Sequence, residues 1–183
     1  MNMRAITVLA ATAAVAGLAS AADYDEAIDG DLASLADGGT SFNLDVGSNS
    51  VTGVVGIGGA IDEDFVTFTV GAGEAISSIT LTDVVFTGGN TSTGFRLYTD
   101  DGTGFFQAAS GSFTTADIGT DYLTVWDLTD VGGSAPIGPG TYGVLLAEFT
   151  AGQQYSFDIT LVPTPGAAAI LGLGGLAATR RRR

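Results

Sequence analysis

Asp62-Glu63-Asp64-Phe65-Val66-Thr67-Phe68-Thr69-Val70 decides how the chain is read. From Val66 onward apolar and hydroxyl side chains alternate, which puts Val66, Phe68 and Val70 on one side of an extended segment and Thr67 and Thr69 on the other. That is a half-buried strand, and β-branched and aromatic residues suit its pleat. The alternation returns in Phe95-Arg96-Leu97-Tyr98, at Tyr142, Val144 and Leu146, and at Tyr155, Phe157, Ile159 and Leu161. Between these runs stand Gly38-Gly39, Gly58-Gly59, Gly71-Ala72-Gly73, Gly88-Gly89-Asn90, Asp100-Asp101-Gly102 and Gly132-Gly133, which supply the positive φ or tight-turn chemistry of antiparallel connections. No stretch of this region sustains an i, i+3, i+4, i+7 apolar stripe. The pattern predicts seven to nine short strands and, over roughly 140 residues, a single antiparallel β-sandwich of jelly-roll type.

The two ends of the chain read differently. Arg4, the apolar run Ile6 to Leu18 and the small-residue site Ala19-Ser20-Ala21 make a secretory signal peptide, which signal peptidase is expected to cut near Ala21 or Ala22. At the other end Val162-Pro163-Thr164-Pro165-Gly166 precedes an apolar segment, Ala167 to Ala178, and then Arg180, Arg181, Arg182 and Arg183. Pro163 and Pro165 lack a backbone donor, so they are expected to end the last strand and open an extended linker. The arginines would stay on the cytoplasmic side of a membrane that the apolar segment enters. From Gly166 to Thr179 there are 14 residues, about 21 Å as a helix against roughly 30 Å of hydrocarbon. Transient insertion during processing suits that length better than a lasting anchor. The expected division is 1–22 signal peptide, 23–162 folded domain and 163–183 sorting tail.

This tail resembles the PEP-CTERM sorting signal, in which Pro-Glu-Pro precedes an apolar helix and a terminal arginine cluster; Thr164 stands where that family has Glu. The resemblance implies recognition by an exosortase-type membrane enzyme and delivery to the outer cell envelope, cell surface or extracellular matrix, often alongside exopolysaccharide. It implies no particular activity.

All 20 acidic residues lie between Asp23 and Asp158, where Arg96 is the only base, so one positive charge against 20 negative ones leaves −19. Such a field repels phosphate backbones and excludes nucleic acid as a natural partner, while it favours divalent cations or a saline medium. The chain has no Cys, no His and no Lys. Disulfides, zinc sites of the His/Cys type, Ser-His-Asp triads, Cys nucleophiles, P-loops and Schiff bases are therefore excluded.

A second likeness sits in the middle of the chain. Asp62 to Gly73, followed by Ile79-Thr80-Leu81, then Leu97 to Gly102 and Gly140-Thr141-Tyr142, resembles the bacterial pre-peptidase C-terminal domain. That family opens on acidic residues, runs a Phe-Thr-Phe type strand, passes an Ala-Gly turn and continues with further strands. The resemblance implies a non-catalytic β-sandwich of secreted or surface proteins, some members of which bind calcium.

Carboxylates are the remaining candidates for chemistry. A glycosidase would need two of them, one in an apolar pocket, and Asp127 and Glu148 stand in apolar runs near Trp126 and Phe149. Calcium would need clustered oxygens on loops, and three clusters qualify: Asp23, Asp25, Asp29 and Asp31; Asp62, Glu63 and Asp64; Asp100 and Asp101. None fits the EF-hand loop. Asp62 and Asp64 are the expected metal ligands, because they match the acidic opening of the family just named. A sugar would need an exposed aromatic platform, for which Trp126, Tyr98 and one of Phe105 and Phe106 are the candidates. The expectation is an exported, non-catalytic surface or matrix protein with a structural or adhesive role, associated with exopolysaccharide. The alternatives are a calcium-dependent glycan-binding module and a secreted glycosidase.

Overall fold

The computed structural model describes residues 22–56, 62–87, 89, 91–148, 152–164 and 166. The signal peptide with Ala19 and Ala21, and most of the tail with Pro165 and Arg180 to Arg183, lie outside the described residues. Among the described residues there are nine strands: β1 (Asp23–Asp25), β2 (Thr40–Ser41), β3 (Gly47–Val55), β4 (Asp62–Val70), β5 (Glu74–Phe86), β6 (Thr93–Asp100), β7 (Phe105–Phe113), β8 (Gly140–Glu148) and β9 (Gln153–Pro163). One helical turn, α1 (Glu26–Asp29), and short 3-10 turns complete them.

The strands form two sheets, β1-β3-β9-β5 and β2-β4-β8-β6-β7. Their order follows from a chain that folds back on itself and then rolls up. β3 pairs antiparallel with β9, β4 with β8 and β6 with β7; the chain alternates between the sheets from β1 to β6, stays in the second sheet through β7 and β8, and returns to the first in β9. This is the double-sheet arrangement of a jelly roll. The short β1 and β2 depart from the antiparallel rule, each adding in parallel to an edge, on β3 and β4 respectively.

One strand of the roll is missing. Where β5 would find an eighth partner, it meets the segment from Thr115 to Pro139, which forms no strand beside it but isolated bridges from Ile137 to Ile76 and from Asp121 to Thr80. Gly119, Gly132 and Gly133 sit at positive φ in that segment, and Pro136 and Pro139 cannot donate to a ladder. Side chains and loop carbonyls take the strand's place. Asp121 Oδ1 accepts from Ile79 N at 3.0 Å, Thr120 O from Leu81 N at 3.3 Å, and Ile137 O from Ile76 N at 2.9 Å.

The alternation read from sequence faces the core. Val66, Phe68, Val70, Phe95, Leu97, Val144, Leu146, Phe157, Ile159 and Leu161 are all buried between the sheets. Phe95 is the hub of an aromatic nest, with ring centroids 4.8 Å from Tyr122, 5.1 Å from Trp126, 5.6 Å from Phe157 and 5.7 Å from Phe113. A second, smaller cluster lies on the outer face of the β4-β8-β6 sheet. There Phe65, Tyr98 and Leu145 are covered by Leu35 and Phe105. Trp126 and Tyr98 are only 7% and 8% exposed, so neither is the sugar platform the sequence proposed; aromatic packing claims both.

β9 runs through Pro163, opposite Glu74, and Thr164 N then donates to Gly73 O at 2.8 Å. Proline is tolerated as the last residue of a strand because its missing donor interrupts nothing beyond it. The sheet thus holds the chain into the Pro-Thr-Pro motif.

Candidate metal centre

Three carboxylates, two from the N-terminal segment and one from β4, meet beside β3. Glu26, Asp31 and Asp64 each offer an oxygen, and these atoms lie within 4.8 Å of one another. The local sequence explains how the first two arrive. Asp25 caps α1 by accepting from Ala27 N at 3.0 Å, and Asp29 Oδ2 accepts from Asp25 N at 2.9 Å, so one helical turn forms although it buries nothing. Gly30 reverses the chain at φ 104°, a region that favours glycine, with its carbonyl accepting from Tyr24 OH at 2.7 Å. Glu26 accepts from Leu32 N at 3.0 Å through Oε1 and from Val54 N at 2.6 Å through Oε2. It thereby ties the N-terminal segment to itself and to β3.

Asp64 reaches the same place from β4. It shares strand parity with Val66 and Phe68, so its side chain enters the interior, where it is fully buried. Tyr155 OH donates to Asp64 Oδ2 at 2.6 Å, whereas Asp64 Oδ1 has no hydrogen-bond partner. Gly53 makes room for that contact. It stands opposite Tyr155 in the β3-β9 register, and a Cβ there would overlap the tyrosine hydroxyl and lie 2.7 Å from Cζ.

Burial dominates the electrostatics. Loss of solvent, reinforced by Glu26, Asp62 and Asp31, pushes the Asp64 carboxyl up to about 8 against the opposing hydrogen bond from Tyr155. Burial also raises the Tyr155 hydroxyl well above its ordinary value, with the Asp64 charge adding to it. Burial and Asp31 raise Glu26. Three acids drawn together, one buried, one half-buried and one exposed, can accept a proton or a hard cation. With oxygen as the only donor type, the cation class is that of calcium rather than zinc or copper.

The structure separates the expected pair of ligands, Asp62 and Asp64. Asp64 belongs to the centre, but Asp62 does not: its Oδ2 accepts from Gly56 N at 3.1 Å, which fixes the approach to β4. Asp23, Asp25 and Asp29 stay out of the centre, and only Asp31 of that cluster contributes. Asp100 and Asp101 close an exposed turn, accepting from Gly102 N and Thr103 N at 2.8 Å each. Asp127 is likewise exposed and accepts from Thr129 N at 3.1 Å and Thr129 Oγ1 at 2.6 Å. Those bonds hold its carboxyl below the ordinary range, the reverse of what a glycosidase acid requires. The Glu148 backbone pairs with Asp62, and its side chain lies outside the description. Of the aromatic pair, Phe105 packs edge-on against Phe65 at 5.1 Å, and Phe106 is 41% exposed.

Sequence reasoning missed Glu26, Tyr155 and Gly53. Glu26 was legible as a lone glutamate among the N-terminal aspartates. Tyr155 was not, because at an alternating core position its hydroxyl is silent. Comparison with known protein families, curated proteins and solved structures finds no match to this chain.

Proposed function

We propose that this is an exported, non-catalytic protein of the outer cell envelope, cell surface or surrounding matrix, where it plays a structural or adhesive role next to exopolysaccharide. The observation that carries this reading is the tail, Pro163-Thr164-Pro165 followed by Ala167 to Ala178 and Arg180 to Arg183. Its likeness to an exosortase-type sorting signal is joined by an independent export signal at Arg4 to Ala21. The domain boundaries are compatible with both proposed cuts. β1 begins at Asp23, after Ala19-Ser20-Ala21, and β9 ends at Pro163, so cleavage beyond Thr164 leaves all nine described strands in place. The charge of the intervening domain, acidic throughout but for Arg96, suits a salty exterior.

Intact mass and fractionation from the native host test this. A mature mass beginning at Ala22 or Asp23 and ending near Thr164, in outer-envelope or medium fractions, is the expected result. Full-length protein in the inner membrane overturns it in favour of a tail anchor.

A second reading, calcium-dependent glycan binding, is favoured by the convergence of Glu26, Asp31 and Asp64. Of the aromatic candidates, Phe106 is the one left exposed. Calcium-dependent retention on extracted matrix polysaccharide, without turnover, supports it; no retention leaves the first reading.

A further inference from the structure

We infer that Glu26, Asp31 and Asp64 together bind one divalent cation of the calcium class, and that the ion cross-links the N-terminal segment to β4 of the sandwich. This rests on the cation half of the second reading and is independent of any glycan.

Two separate observations point to the ligand. The first is the meeting of three carboxylate oxygens within 4.8 Å, two from the N-terminal segment and one from β4. The second is Asp64 itself, fully buried, with Oδ1 lacking any hydrogen-bond partner. A buried polar oxygen without a donor calls for a specific explanation, and the charged groups facing it are further acids, Glu26, Asp31 and Asp62. An ion satisfies the orphaned oxygen and relieves the mutual repulsion of the ligands in one step.

The donor set fits a large, hard cation. The two Glu26 oxygens each accept one amide hydrogen, and each keeps a lone-pair direction for a metal. Asp31 is exposed, so water has access to complete a shell of about six to eight oxygens. Tyr155 holds the Asp64 carboxylate by Oδ2 and leaves Oδ1 to the ion, the part that an outer-shell partner plays for a ligand. Among the described residues no other group of acids comes together in this way. Asp100 and Asp101 are served by the amides of their own turn.

Cross-linking follows from where the ligands sit. The N-terminal segment has little apolar grip: α1 buries no residue, Ile28 is 81% exposed, and Leu32 is its buried anchor. β1 adds three residues of pairing. An ion shared with Asp64 would join this segment to the core far more firmly than the Glu26 to Val54 bond alone.

The test uses the mature chain with calcium chloride as the probe. Isothermal titration is expected to give a saturable heat near one equivalent, and melting is expected at higher temperature in calcium than in chelator. Glutamyl endopeptidase should cut after Glu26 more slowly when calcium is present. Glu26→Gln and Asp64→Asn should each weaken binding about tenfold or more, since ligand charge sets affinity, and Tyr155→Phe by about 10- to 100-fold. Asp100→Asn should leave it unchanged. Circular dichroism in chelator verifies that each variant is folded, and Asp64→Asn keeps the shape while removing the buried charge. Absence of saturable heat up to about 10 mM calcium, with the same melting temperature in chelator, overturns the inference and assigns the centre to a proton. Binding that survives Asp64→Asn and Glu26→Gln overturns it too, by placing the ion elsewhere. Neither result bears on export or on polysaccharide.

Discussion

Asp64 lies fully buried on β4 with one hydroxyl donor for its two oxygens, while Asp101 lies in solvent with an amide and a hydroxyl from Thr103 on the same oxygen. Their carboxyls move in opposite directions. Burial, helped by neighbouring acids, raises Asp64 to about 8, and the Thr103 hydrogen bonds lower Asp101. Both belong to short acidic runs near strand ends, so sequence context does not separate them. What separates them is how many donors the fold supplies and how much water it removes. An acid that its own turn has satisfied makes a good turn; an acid the fold leaves short of donors invites an ion or a proton.

The largest way to break the contrast is to remove the donor. Tyr155→Ala deletes a fully buried aromatic that stacks on Phe157 and leaves Asp64 with no partner. A loss of about 3–5 kcal/mol in denaturant unfolding is expected. Gly53→Ala comes next. Its Cβ would collide with the Tyr155 ring and stand 3.1 Å from Asp64 Oδ2, and overpacking of this kind costs about 1–3 kcal/mol. Gly102→Ala in the Asp101 turn sharpens the comparison, because φ is 87° but no atom lies within 4 Å. Its strain should cost about 1 kcal/mol, with no packing penalty.

Acidity gives a further test with a definite sign. In chelator the folded state holds a proton on Asp64 up to about 8, whereas the unfolded chain loses it near the ordinary carboxylate value of about 4. Between these values the native state binds more protons, so stability falls as pH rises and levels off above about 8. Asp64→Asn should flatten this part of the melting profile. The groups facing Asp64 are Glu26, Asp31, Asp62 and Tyr155, and Glu26→Gln should narrow the pH range of this fall by bringing the Asp64 carboxyl down. Asp101 acts with the opposite sign: its contribution is present above the ordinary carboxylate value and is lost as pH falls through its lowered one.

Thr103→Ala is the smallest perturbation. Stability should change by no more than about 0.5 kcal/mol, while the Asp101 carboxyl, followed by NMR titration, returns toward its ordinary range. An unmoved titration would show that the turn amides, rather than the threonine, hold it down.

The sandwich was legible because its signal is local. Val66-Thr67-Phe68-Thr69-Val70 states its own buried side, and the runs at Tyr142 to Leu146 and Tyr155 to Leu161 repeat the statement. The missing eighth strand was legible only as an absence of alternation between Thr115 and Pro139. That Asp121 would stand in for a carbonyl depends on where β5 comes to lie. Tyr98 shows a second limit. Alternation places it on the outer face of its sheet, as if in solvent, but Leu35 and Phe105 arrive from distant parts of the chain to cover that face. The carboxylate cluster has the same non-local character. Glu26 and Asp31 come from the N-terminal segment and Asp64 from β4, so reading Asp64 together with Asp62 paired it with an acid close in sequence and left out those that the fold brings to it.

The register of β9 also gives the domain a direction. Tyr155 stands opposite Gly53, beside the carboxylates, and Pro163 stands opposite Glu74, where the chain leaves the sheet. Eight residues of strand separate the two levels, about 27 Å at the usual rise. A surface that grips this chain by its C-terminal tail therefore holds it by one pole and turns the other outward. The carboxylate centre and the N-terminal segment would crown that outer pole, facing whatever approaches from the medium, and the Asp100-Asp101 turn, beside the pole that is held, would face the support.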